Sequence, residues 1–329
     1  MSSKRDSTSE IYPRIKGTLD KVSVQALRAW LKSIDLSSSA ATRQTITEQV
    51  AKEIASGRLA EAALEAALIG FEEASGMRVY FFKLENLSSK PASKWLPNRL
   101  LAAKFALTNK RSFAGKKTDP MSPVYAELTG DLLRVKWAEE QQSSKLNEET
   151  DEIVREIHEK RIVLIADLHA RTAELRLNPP DNRHSYRDLK GATTPEAYYR
   201  AYIAEARKLL NCDLVALDLR PIVRKLVKEE PRVVRIHIDS HTNQKNTKFK
   251  TTAANQDVRD DPDWNTTYQN SGETWAWEDS RFFWVPRASH GFLTRELFSQ
   301  INAEEGFIKV NADCSDEELS YVVSQIRAR

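Results

Sequence analysis

Apolar residues recur at helical spacing through the first quarter of the chain and at strand spacing beyond it. Val24, Leu27, Leu31 and Ile34 follow one another at steps of three and four, which predicts a helix over Val24–Ile34 with Ser23 as its N-cap. Ile46, Val50 and Ile54 mark a second helix at four-residue steps, stopped by Gly57. A third runs from Leu59 to Ala74 with Leu64, Leu68 and Phe71 inward, and Ser75-Gly76 ends it. Three short helices over residues 19–76 predict a small bundle. Residues 1–18 are polar and short of large apolar side chains, so they read as a flexible arm.

The period then changes. Arg78–Leu84 is rich in β-branched and aromatic residues and reads as a strand, followed by a basic connecting segment to residue 120. Val124–Leu128 and Leu132–Trp137 flank Thr129-Gly130-Asp131, a hairpin signal. Arg161–Leu168 and Thr172–Leu177 form a second pair. Helices are expected over Pro195–Leu210 and Pro221–Glu229, strands over Val233–Asp239 and Phe307–Val310. Ser315 with Glu318 opens the last helix as a capping box. Gln141–Glu152 and Thr242–Asn270 are polar and read as long loops. Strand pairs interrupted by helices predict an α+β fold: the helical bundle, then a mixed, largely antiparallel sheet domain over residues 121–329 with flanking helices.

Charge refines the picture. The 329 residues carry a net charge of only +3, yet the charges are sorted along the chain. Between Glu85 and Asp119 stand eight bases and no acid: Lys90, Lys94, Arg99, Lys104, Lys110, Arg111, Lys116 and Lys117. Trp95, Phe105 and Phe113 interleave with them, and rings with cations suit a nucleic-acid groove. The plainer alternative is a solvated helix that buries Leu96, Leu100, Leu101 and Phe105. A second cluster comprises Arg220, Arg224, Lys225, Lys228, Arg232 and Arg235, followed by Lys245, Lys248 and Lys250. Residues 257–279 hold seven acids against one base, Arg259, and either repel misplaced DNA or pair with the chain's own bases. No apolar run approaches the ~20 residues of a membrane span, and the first residues lack the apolar core of a secretory signal. The expectation is an intracellular protein of cytoplasm, nucleoid or nucleus, with Cys212 and Cys314 as reduced, idle thiols.

Three constellations could carry further roles. His237, Asp239 and His241 alternate along a strand and are acceptable metal ligands, but no fourth ligand is nominated nearby, so they read as the wet face of a strand whose dry face is Val234, Ile236 and Ile238. Asp167, His169, Glu174 and Arg176 loosely imitate a metal-dependent nuclease, and exposed hairpin charge explains them better. Trp275, Trp277 and Trp284 are candidate partner-binding residues, with core packing as the alternative. Phosphate-binding loops, nucleophile elbows and paired C-x-x-C motifs are absent, and no cofactor or metal is expected.

Val22–Leu59, with its helix Val24–Ile34, loop Leu36-Ser37-Ser38-Ser39, base Arg43 and apolar Ile46 and Val50, resembles a SAP-type module. That resemblance implies DNA binding through helix-start backbone and the bases Lys32 and Arg43. The chain departs from the family pattern at Ala40 and Ala41, where a loop glycine is usual, and at Thr45, where an acid is usual. The order of a helical domain, an Arg-Val-Tyr-Phe-Phe strand and a β-rich domain is also similar to the centromere protein N family. Leu214–Arg220, Arg134–Trp137 and the final strand and helix share in that likeness. It implies a non-enzymatic scaffold that contacts DNA and a protein partner. Together these features predict a nucleic-acid-binding protein, for double-stranded DNA, acting in a larger assembly. The alternatives are a metal-dependent nuclease and a protein-interaction scaffold without nucleic acid.

Overall fold

A computed structural model describes residues 8–20, 22–36, 42–113, 121–147, 152–178, 195–229, 231–242, 248–253, 256–310 and 313–329. In chain order they form α1 (Thr8–Leu19), α2 (Val24–Ser33), α3 (Arg43–Ala55), α4 (Glu61–Ala74), β1 (Arg78–Glu85), α5 (Ala92–Ala102), β2 (Ser122–Thr129), β3 (Leu132–Asn147), β4 (Glu152–Asp167), β5 (Thr172–Leu177) and α6 (Pro195–Leu210). There follow β6 (Asp213–Ala216), α7 (Arg220–Lys228), β7 (Val234–Thr242), β8 (Lys248–Thr252), α8 (Pro262–Ser271), β9 (Ala276–Trp277), β10 (Asp279–Trp284), β11 (Leu297–Asn302), β12 (Phe307–Val310) and α9 (Asp316–Arg327). The fold is α+β, and its hairpins pair antiparallel.

Two compact units divide the chain differently from the expected boundaries. One comprises residues 1–76, 219–305 and 309–329, the other 77–218 and 306–308. In the first, α1 to α4 form the bundle. Ser23 caps α2 through the Ala26 N–H, and Thr42 with Thr45 closes a capping box on α3. Leu27, Leu31, Ile46 and Val50 are fully buried in its core. The flexible arm is corrected here: Thr8–Leu19 is helical and buries Ile11, Ile15 and Leu19 in that core. Their four-residue spacing was a helical signal, masked by the polar residues around it and by Pro13 inside the helix, which gives up a backbone hydrogen bond.

The same unit carries β11, β10, β7 and β8 side by side, with β9 also on β7. β7 contains a bulge. Its pairing with β10 passes from Arg281↔Ile238 to Phe282↔Ile236, so one extra residue is inserted and the inward face changes parity. The polar stretch Thr242–Asn270 is not one loop, since it contains β8 and α8.

In the second unit β2, β3, β4, β5 and β1 lie in that order, and β6 also pairs with β1. Period-two alternation sends Tyr80, Phe82, Val135, Trp137, Leu164 and Leu175 to one face, against α5 and α6. Leu96 and Leu100 of α5 and Tyr198 and Tyr202 of α6 complete this core. The expected loop Gln141–Glu152 is largely strand. β3 and β4 stay paired out to Asn147↔Glu152, whereas β2 accompanies β3 only to Ala138 and β5 accompanies β4 only to Ile162.

Candidate nucleic-acid interface

The basic run acquires its geometry from α5 and the turn that ends it. Leu96 and Leu100 are buried, which leaves Lys94 exposed and Arg99 half-buried on the outer side. Leu101 is corrected: it stands 73% exposed rather than in the buried stripe. The helix closes with a paired C-terminal turn, in which the Phe105 N–H donates to the Leu100 carbonyl at 2.8 Å and the Lys104 N–H to Leu101 at 2.9 Å. Phe105 thereby packs inward, edge-on to Trp137. This turn needs a left-handed residue, and Lys104 occupies it at φ 63° where glycine is easier.

Arg99 donates from Nη1 to the Lys208 carbonyl at 2.9 Å, in the last turn of α6, where orphan carbonyls favour a cation. The contact gathers Arg99, Lys104 and Lys208 around a cleft walled by Trp137 and Leu209, with Glu205 as its one acid. Lys208 and its neighbour Glu205 stand 3.9 Å apart. Lys90, Lys94 and Lys104 are exposed and meet no acid among the described residues. Arg111 is tied to Glu127 at 3.3 Å, and Lys110 precedes it, its backbone N–H donating to Thr108 Oγ1. Lys116 and Lys117 lie outside the described residues. Trp95 is half-buried, donating its indole N–H to the Lys90 carbonyl, so it props the lysine segment rather than offering a free ring.

In the helical bundle, Lys32 is exposed at the end of α2, and Arg43 at the start of α3 donates to the Asp20 carbonyl. The loop that would hold the phosphate-binding backbone, residues 37–41, lies outside the described residues.

Three bases of the second cluster are answered by acids within their own unit, and Lys245 lies outside the described residues. Arg232 pairs with Asp257 and Asp260, Arg235 with Glu296, and Lys248 with Glu278 at 2.8 Å. Lys248 and Thr242 hold the Glu278 carboxyl below its ordinary pKa. Asp257, Asp260 and Glu278 of the acidic stretch thus serve as internal counter-charge, and Arg259 lies buried against Asp257.

The three candidate partner tryptophans are corrected to core residues. Trp275, Trp277 and Trp284 are 2%, 1% and 0% exposed. Trp284 donates its indole N–H to Ser299. Trp275 stacks on His241 with ring centroids 3.5 Å apart and planes 7° from parallel. The bulge in β7 explains His241's place there, because it turns Asp239 and His241 inward where plain alternation would leave them wet. Asp239 accepts the Trp264 indole N–H at 2.9 Å and lies 3.2 Å from His241 Nδ1. His237 instead meets the Ala253 carbonyl.

The nuclease-like set is dispersed into structural duties. Asp167 accepts the Ala170 N–H and shapes the β4–β5 turn. Glu174 and Arg176 are not exposed hairpin charge, as expected, but a buried ion pair at 2.7 Å. Among the described residues no three His, Cys, Asp or Glu side chains come close enough to share a metal. Cys212 and Cys314 are separate and buried, and desolvation, then Asp213, pushes the Cys212 thiol up to about 11.

The chain matches no family model and no curated protein. Lys208 went unnoticed in the sequence because it meets Arg99 only through the packing of α6 on α5. No helix among the described residues is long and apolar enough to cross a membrane.

Proposed function

We propose that this chain binds nucleic acid, double-stranded DNA first, through phosphate contacts made by α5 and its closing turn, without acting on it chemically. One contrast carries the reading. Arg232, Arg235 and Lys248 are each held by an acid, whereas Lys90, Lys94 and Lys104 stand exposed without one among the described residues. Lys104 shares a cleft with Arg99 and Lys208, and Lys90 and Lys94 add uncompensated charge along the same segment; such a concentration of positive potential attracts a polyanion. Lys110 and Arg111 extend the same segment. Lys32 and Arg43 belong to the proposal as SAP-like contacts, supported by the helices expected around them. Binding without cleavage is supported by the engagement of Asp167 in a turn and of Glu174 in an ion pair, the two acids that the nuclease alternative would use. A scaffold working beside a protein partner inside the cell fits this chemistry, and exposed Leu101, Leu107 and Phe113 supply apolar surface near the lysines.

A fluorescence titration of a labelled duplex, run with and without Mg²⁺, tests the reading. Saturable binding that weakens with salt, with the duplex intact in both conditions, is the expected outcome. Mg²⁺-dependent cleavage that disappears in Asp167→Ala would make the protein a nuclease, and absence of any binding would leave a protein scaffold.

A further inference from the structure

α2 has a second face. Ala26, Leu27, Trp30 and Leu31 point into the bundle, and Gln25, Arg28, Ala29 and Lys32 follow one another at steps of three, one and three on the side away from it. Thr294 and Arg295 lie across from this stripe, and a cleft of about 500 Å³ opens between them, all within the first unit. Ala29 keeps the middle of the stripe low, while Arg28 and Lys32 stand on either side of it.

Arg295 makes this more than a loose basic patch. Its side chain is only 13% exposed. Nε and Nη2 donate to the Glu318 carboxylate, and Nη2 also donates to the Asp313 carbonyl. Those bonds fix the guanidinium at the start of α9 and use two of its three nitrogens. Nη1, the third, makes no hydrogen bond among the described residues. A planar cation held by its back edge presents its remaining N–H groups in a set direction, the arrangement that suits a phosphate oxygen. Arg28 and Lys32 line the cleft with Arg295, whose charge Glu318 answers from behind; Asp35 is the one acid in the lining, and Gln25 and Thr294 add neutral donors.

We infer that this cleft is a phosphate site, taking a phosphodiester group of the nucleic acid at a place separate in sequence from α5. The inference rests on the nucleic-acid reading, so its test must fail separately. The site takes the phosphate and not the base: Arg28, Lys32, Arg295, Gln25 and Thr294 supply donors beside the apolar Ala29 and Leu36, and among the lining residues no aromatic ring offers a stacking surface.

The test uses the full chain and the exposed residue Lys32, since Arg295 also anchors α9. In the duplex titration, Lys32→Glu should lower affinity about eightfold at about 0.1 M salt and reduce the salt slope by about 0.9, the share of one phosphate contact. Lys52→Glu, on the exposed side of α3, is the charge control and should fall short of both changes. Circular dichroism should show Lys32→Glu folded like the parent. In parallel, amide NMR shifts are followed while inorganic pyrophosphate is added. Shifts at residues 25–32 and 294–295 that disappear in Lys32→Glu support the site. If the parent binds duplex and Lys32→Glu binds equally well with the same slope, the inference falls while the α5 reading stands. If the parent binds no duplex, pyrophosphate decides: shifts at the cleft keep a phosphate site, and their absence removes it.

Discussion

Lys104 holds a left-handed backbone conformation that a glycine would adopt at less cost. Stability and binding therefore pull in opposite directions at this position. Lys104→Gly should raise stability by about 0.5–1 kcal/mol, the relief of an L-residue at positive φ less the added chain entropy. The same change should weaken duplex binding. Thermal melting and the titration read the two effects separately, and a drop in stability would show that the Lys104 side chain is needed by the turn itself. Glu278 is a residue whose charge state matters to the fold. Lys248 and Thr242 stabilise its ionised carboxylate, whose pKa is lowered. That contribution is present above the ordinary carboxylate range and fades as pH falls through the lowered value, so Glu278→Gln should flatten the acid limb of a stability–pH curve. An acid limb identical to the parent's would mean that Glu278 contributes nothing to it.

Single elements show where sequence patterning reached and where it stopped. The helices in which an apolar stripe or pattern is joined to a cap, α2 at Ser23 and α9 at Ser315, were legible from their first residue, α6 was legible from the proline at its start, and α3 was legible as a stripe without its start. α1 was not, since its three apolar positions are set among polar residues and a proline. Ile11→Ala should nonetheless cost about 2–4 kcal/mol, as a buried core truncation does, and an unchanged melting curve would return residues 8–19 to the status of an arm. The outer parts of β3 and β4 were missed for a different reason. Beyond Ala138 and Arg161 the strands pair only with each other among the described residues, and the mostly polar sequence there carries no period of two that would reveal them. Hydrogen exchange should find amides 139–147 and 152–160 opening well before those of 133–137 and 162–166. Uniform protection along both strands would mean that something else covers the ribbon. Asp239 and His241 were misplaced because a bulge shifts strand parity and leaves no mark in composition.

For the whole molecule, charge sorting was legible and charge pairing was not. The sequence shows a basic run and an acidic stretch, which suggests that one answers the other. The fold instead directs the acids to Arg232, Arg259 and Lys248, and leaves Lys90, Lys94 and Lys104 unanswered among the described residues. Net charge therefore understates how strongly one segment attracts a polyanion. The most direct measurement is the slope of log affinity against log salt for a DNA duplex, compared between the parent and a Lys90→Glu, Lys94→Glu, Lys104→Glu triple variant. Removing three lysine–phosphate pairings should make the variant's slope shallower by about 2.7, with unchanged melting. Equal slopes for parent and variant would contradict an interface on α5 and return these lysines to an ordinary solvated face.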